Sequence, residues 1–181
     1  MKNIVYVVLA MIVLSSCQKQ AKIGYVNNGT VINDFQEKIE LEAKFQKKSD
    51  AFQKRRDSLV NAYQLELQEA QQKAKRMSQV NLQKLSQEIQ QKEQLLSQKI
   101  QSEQQEIQQT FQAELDSVIV KVKDFVKDYG KKNGYTYILG TTDAASTVMY
   151  GTGENDLTQI ILDALNGADK EEVKEESEKK E

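Results

Sequence analysis

Apolar residues return at a fixed interval along the middle of the chain. Leu85, Leu96, Ile107, Val118 and Tyr129 are spaced by eleven, and Ile89, Ile100, Phe111 and Val122 repeat that step four residues later. An eleven-residue repeat corresponds to about 3.67 residues per turn, so it predicts a nearly straight or slightly right-handed helix pair. An upstream stretch echoes it less regularly with Leu41, Phe52, Tyr63 and Ala74. The whole region lies between Gly29 and Gly130, contains no Gly or Pro, and is dominated by Gln, Lys, Glu, Ala and Leu. These are strong helix formers. A single helix of this length would measure about 150 Å, whereas a hairpin gives two arms of about 70 Å. The hairpin is favoured, over 30–130, with its tip near 76–82. There Ser78 and Asn81 are the best cap residues available.

Texture changes at both ends of this stretch. Lys22-Ile23-Gly24-Tyr25-Val26-Asn27 reads as a strand over 22–28, and Tyr135-Thr136-Tyr137-Ile138-Leu139 as a second over 135–140. Thr147-Val148-Met149-Tyr150 predicts a third at 147–151, with Thr141–Ser146 as the turn before it. Asp156-Leu157-Thr158-Gln159 has the pattern of a capping box, Asp156 at N-cap and Gln159 at N3. The apolar residues Ile160, Ile161, Leu162 and Leu165 then give an amphipathic helix over 157–166. The fold class expected is mainly α with a small β body: a long antiparallel helical hairpin, coiled-coil-like, on a short-stranded base. Three short strands and one short helix bury too little apolar surface to support such arms alone. The base is therefore expected to be oligomeric.

The first residues read as an address. Lys2 is followed by an apolar run from Ile4 to Leu14, the length of a signal h-region and too short to span a bilayer comfortably. Leu14-Ser15-Ser16-Cys17 has the form of a lipobox, which predicts a lipoprotein signal peptide at 1–16, acylation of Cys17 and a lipidated linker at 17–21. At the other end, residues 167–181 form a charged tail with seven acids and four lysines from Asp169 on, a composition that favours disorder.

Composition narrows the chemistry. There is no His and a single Cys. The usual metal sites and His-dependent nucleophile machinery are therefore missing, so neither an enzyme nor a cofactor is expected. With Lys2 and the tail set aside, basic and acidic residues are equal in number. No nucleic-acid partner is expected, and any electrostatic function must be local. The clearest local imbalance is at the predicted tip, where Ala70–Gln87 holds Lys73, Lys75, Arg76 and Lys84 and no acid. Together with Met77, these residues are candidates for contact with acidic partners or anionic lipid.

The order of leader, strand, hairpin, strands and capped helix resembles the Skp (OmpH-like) family over about 21–166, within a domain set at 22–166. The resemblance rests on Lys22-Ile23-Gly24-Tyr25-Val26-Asn27, Tyr135-Thr136-Tyr137-Ile138-Leu139, Val148-Met149-Tyr150 and Asp156-Leu157-Thr158. It implies a trimer with a β-rich body and helical tentacles that hold unfolded outer-membrane proteins without nucleotide. The expected function is an ATP-independent holding chaperone in the periplasm, here anchored by lipid, with the outer membrane favoured. A lipid-anchored structural tether is the alternative; it explains the helices and the anchor but does not require the terminal strands.

Overall fold

The computed structural model describes residues 20–142 and 147–167. The expected leader, Cys17, most of the Thr141–Ser146 turn and the tail from 168 onward lie outside the described residues. In chain order the elements are β1 (Ile23–Asn27), α1 (Asn28–Asp34), α2 (Gln36–Ala74), α3 (Gln79–Lys132), β2 (Tyr137–Thr141), a short 3-10 turn at Gly153–Asn155, and α4 (158–167). The fold is mainly helical with a small strand pair. It divides into two compact units, one made of residues up to Val31 with those from Val122 onward, the other of Ile32–Lys121.

In the first unit β1 pairs in parallel with β2, from Ile23 opposite Tyr137 to Asn27 opposite Thr141. The Lys22 carbonyl accepts from Thr136 N–H at 2.8 Å on that edge, and the Tyr25 carbonyl accepts from Leu157 N–H at 2.9 Å. Carbonyls an odd number of residues apart face opposite edges of a strand, so β1 lies between β2 and the Asp156–Leu157 segment. The core is built from Val26, Val31, Leu157, Ile161 and Leu165, each almost fully buried.

Helix α1 begins directly where β1 ends. The Asn27 side-chain oxygen accepts from Thr30 N–H at 3.2 Å, an N-cap bond that satisfies one of the orphan donors of the first turn. Gly29 therefore lies inside the helix rather than before it. A single extended residue, Phe35 (φ −68°, ψ 125°), separates α1 from α2, and its ring is fully buried. At the far end of α3, Gly130 is also helical, not a boundary. A Cβ there would meet Ile138 Cδ1 at 3.1 Å, so its absence allows close helix–strand contact. The helix stops instead at Gly134 (φ +71°), where Tyr135 N–H reaches the Gly130 carbonyl at 2.9 Å and Gly134 N–H reaches that of Lys131. This is the double bond pattern of a Schellman end, and the left-handed residue is glycine because a Cβ disfavours that conformation.

The strand expected at 147–151 is not formed. Residues 147–150 are irregular, and Met149 and Tyr150 stand 89% and 86% exposed. Alternation and aromatic content suit a strand, but β1's second edge is taken by Asp156 and Leu157, and Thr147 meets β2 through its side chain, its hydroxyl donating to the Gly140 carbonyl at 2.7 Å. Gly151 passes over the Tyr25 ring so closely that a Cβ would fall 2.4 Å from Cε1.

The second unit is the antiparallel pair of α2 and α3. Every predicted seam residue within it is buried or half-buried: Leu41 and Phe52 on α2, Val118 on α3, and between them Tyr63, Ala74, Leu85, Ile89, Leu96, Ile100, Ile107 and Phe111. Phe45 and Phe111 meet edge to face with centroids 5.2 Å apart. The Tyr63 hydroxyl points to the Ile89 carbonyl at 3.4 Å. Partial burial there, with Glu93 and Glu66 nearby, holds its pKa above the ordinary value. The helices are exchanged at Lys75–Ser78, where Met77 N–H bonds to the Ala74 carbonyl and the Ser78 carbonyl accepts the first α3 bond from Leu82.

Candidate functional site

No cluster of metal-ligating side chains exists among the described residues, and no described helix is long and apolar enough to cross a membrane. The candidates are surfaces. In the second unit the α2–α3 turn carries Lys73, Lys75, Arg76 and Met77, with Lys84 on the first turns of α3. The turn is thus flanked by basic side chains, but they are not equivalent. Lys73 reaches back to Glu69 at 3.6 Å and Lys75 donates to Gln72 at 3.2 Å, so the acid that partly offsets this cluster lies just outside the acid-free window. Arg76 and Lys84 are exposed and form no ion pair among the described residues, while Met77 is half-buried.

Away from the turn, the two sides of the arm pair differ. One side has an open groove of about 580 Å³ around Ala43, Phe45, Ile107 and Phe111, rimmed by Glu42, Ser49 and the amides Gln46 and Gln108. The other has a smaller recess of about 280 Å³ where Lys48, Arg55, Glu103 and Glu106 gather. The aromatic pair was legible as seam. That it also opens sideways as a groove was not, because periodicity locates a stripe but not how completely the partner helix covers it.

The first unit presents a different surface. Ile23, Tyr137 and Leu139 share one face of the strand pair and are 45%, 61% and 39% exposed. The opposite face, with Gly24 and Val26, is buried. The Asp156-Leu157-Thr158 motif closes β1 on its second edge. Leu157 bonds to the Tyr25 carbonyl, and the Thr158 hydroxyl accepts from Asn27 N–H at 3.0 Å and donates to the Asp156 carboxylate. Asp156 also accepts from Thr158 N–H at 2.9 Å, as a cap should. Gln159 does not complete the expected box, since its amide reaches forward to Asp163 at 2.8 Å. Sequence alone assigns Thr158 no role; in the fold its hydroxyl ties this junction together.

A family profile described as outer membrane protein (OmpH-like) matches residues 22–165. The chain belongs to the OmpH-like family. Among solved structures it is similar to a candidate outer membrane chaperone (OmpH-like) from Caulobacter crescentus, with TM-score 0.71 and 15% identity over 83% of this chain and 87% of that one. At that identity the likeness is one of fold. No curated protein matches the sequence significantly.

Proposed function

We propose that the protein is an ATP-independent holding chaperone for unfolded outer-membrane or envelope proteins, acting in the periplasm from a lipid anchor at Cys17. The observation that carries this reading is the arm pair. Its seam is thin, and its open groove is mainly apolar with a polar rim of Glu42, Gln46, Ser49 and Gln108, a lining of general rather than sequence-specific character. An unfolded membrane protein exposes apolar segments that aggregate in water. Many weak apolar and amide contacts on long arms shield such segments without fixing their order, and the adaptable Met77 at the turn suits the same task. Family membership supports the reading. So does the likeness in fold to the candidate outer membrane chaperone of Caulobacter crescentus. The basic turn of Lys73, Lys75, Arg76 and Lys84 adds a local attraction for acidic segments or anionic head groups. Support for the anchor is the lipobox-like Leu14-Ser15-Ser16-Cys17, and Gln18 in place of an Asp favours the outer membrane.

One experiment separates this from the tether reading. An unfolded outer-membrane barrel protein is diluted from denaturant with and without this protein, in the absence of nucleotide, and light scattering is followed. Suppression at near-stoichiometric ratios is expected; undiminished aggregation would leave only the tether. A Cys17→Ala arm of the same study, expressed in bacteria, is expected to leave the membrane fraction yet to suppress aggregation as the parent does.

A further inference from the structure

Among the described residues, ion pairs join the two arms at Glu37–Lys121, Lys44–Glu114, Arg55–Glu103 and Glu66–Lys92. Along α2 the steps between them are seven, eleven and eleven residues; along α3 the same three steps are taken in reverse. The charges therefore follow a single register and share the period of the apolar seam. Their signs are mixed. On α2 the order is acid, base, base, acid, and the facing order on α3 is base, acid, acid, base.

The two eleven-residue apolar series do not by themselves choose this register. Sliding α3 by eleven residues brings Leu96 to the place of Ile107 and Ile100 to that of Phe111, so these two series stay apolar, although Gln104 and Gln108 then replace the half-buried Leu115 and Ile119. The charges do respond to the slide. In one direction Lys44 meets Glu103, but Arg55 meets Lys92; in the other, Arg55 meets Glu114 and Glu37 meets Lys132, but Glu66 meets Glu103. Each slip has fewer attractions than the four of the native register and creates a repulsion that the native register lacks. We infer that the mixed-sign ladder is a register lock, which acts against the eleven-residue slips that the two apolar series tolerate. A ladder with all acids on one arm and all bases on the other would hold the native register too, but it would hold the slipped ones as well. Like-charge juxtaposition of this kind excludes a competing structure more than it stabilises the native one.

The lock also stands where it is needed in time. Glu66 and Lys92 are 26 residues apart, Arg55 and Glu103 48, Lys44 and Glu114 70, Lys121 and Glu37 84. Closing a loop costs more entropy as it lengthens, so contacts near the α2–α3 turn form first. Strands β1 and β2 lie outside all of these and meet last. Register is therefore set before the strands can check it.

The test uses the full chain with Cys17→Ser, so that only introduced thiols react. Cysteines are placed at Lys48 and Thr110, which line the same recess in the native register, or at Lys48 and Lys99, which come together only after a slip of eleven. Each protein is refolded from denaturant with a short bifunctional maleimide present. The parent is expected to cross-link the first pair and not the second. A uniform-sign form (Lys44→Glu, Arg55→Glu, Glu103→Lys, Glu114→Lys) keeps every native pair attractive and is expected to raise the slipped product several-fold. A control with all eight signs reversed preserves the mixed order and is expected to match the parent. No slipped product from the uniform-sign form, a slipped product from the control, or loss of helical signal in the uniform-sign form would each overturn the inference.

Discussion

At the scale of single residues, the strand motif Lys22–Asn27 is shaped by what crosses it. Gly24 faces the core, and a Cβ there would lie 2.5 Å from Leu157 Cδ1 and 3.1 Å from Tyr135 Cε1. Leu157 is 2% exposed, so its side chain has little room to turn away. Gly24→Ala is therefore expected to destabilise the protein by about 1–3 kcal/mol, the range for overpacking a filled core. Gly153→Ala, where the new Cβ meets nothing within 4 Å, is expected to stay within about 0.5 kcal/mol of the parent. Thermal unfolding of the two variants side by side measures the difference. Equal transitions would mean that Leu157 moves freely. The sequence showed a glycine in a strand, which signals a close approach. It did not show that Leu157, more than a hundred residues later, is what approaches.

At the scale of elements, the helices were the most legible part, because an eleven-residue period sustained over the return arm has few other physical readings. Their ends were less legible. Gly29 and Gly130 look like breakers, yet both lie within helices; the actual stops are made by Asn27 capping forward and by Gly134 at positive φ. Phe35 interrupts the first arm with no breaker signal, since the burial of its ring is a tertiary effect. At the turn, the basic candidates were legible from charge alone, whereas the Lys73–Glu69 pair was not. Replacing Lys73, Lys75, Arg76 and Lys84 together with Gln is expected to leave helicity nearly unchanged, because Gln is a comparable helix former. Binding to acidic clients or anionic vesicles should weaken at low salt, and the difference from the parent should shrink as salt rises. Exposed charges are already screened over about 8 Å at 0.15 M. Equal low-salt binding by parent and variant in a titration series would make the turn a merely solvated surface.

At the scale of the whole molecule, the first unit leaves an incomplete sheet. Two short strands are marginal by themselves, and β2 has no described neighbour on its outer edge. Ile23, Tyr137 and Leu139 form an exposed apolar face beside that edge, with Met149 and Tyr150 standing out nearby in sequence. Natural sheets seldom leave such an edge and face uncovered, since both invite pairing. Further copies of the same unit are the occupant we propose, with a trimer expected and a dimer second. Val148, Met149 and Tyr150 are strand-like in sequence, yet no strand forms there among the described residues. Burying one large apolar side chain contributes about 1.5–3 kcal/mol. Losing one such contact should then raise the dissociation constant roughly ten- to a hundredfold. Tyr137→Ser with Leu139→Ser is accordingly expected to shift the protein toward monomer in sedimentation velocity at micromolar concentration. Its circular dichroism should stay helical, because the seam of α2 and α3 is untouched. A parent chain that sediments as a well-folded monomer under the same conditions would show that the sheet face is left open to solvent, and the multi-armed holder would have to be abandoned.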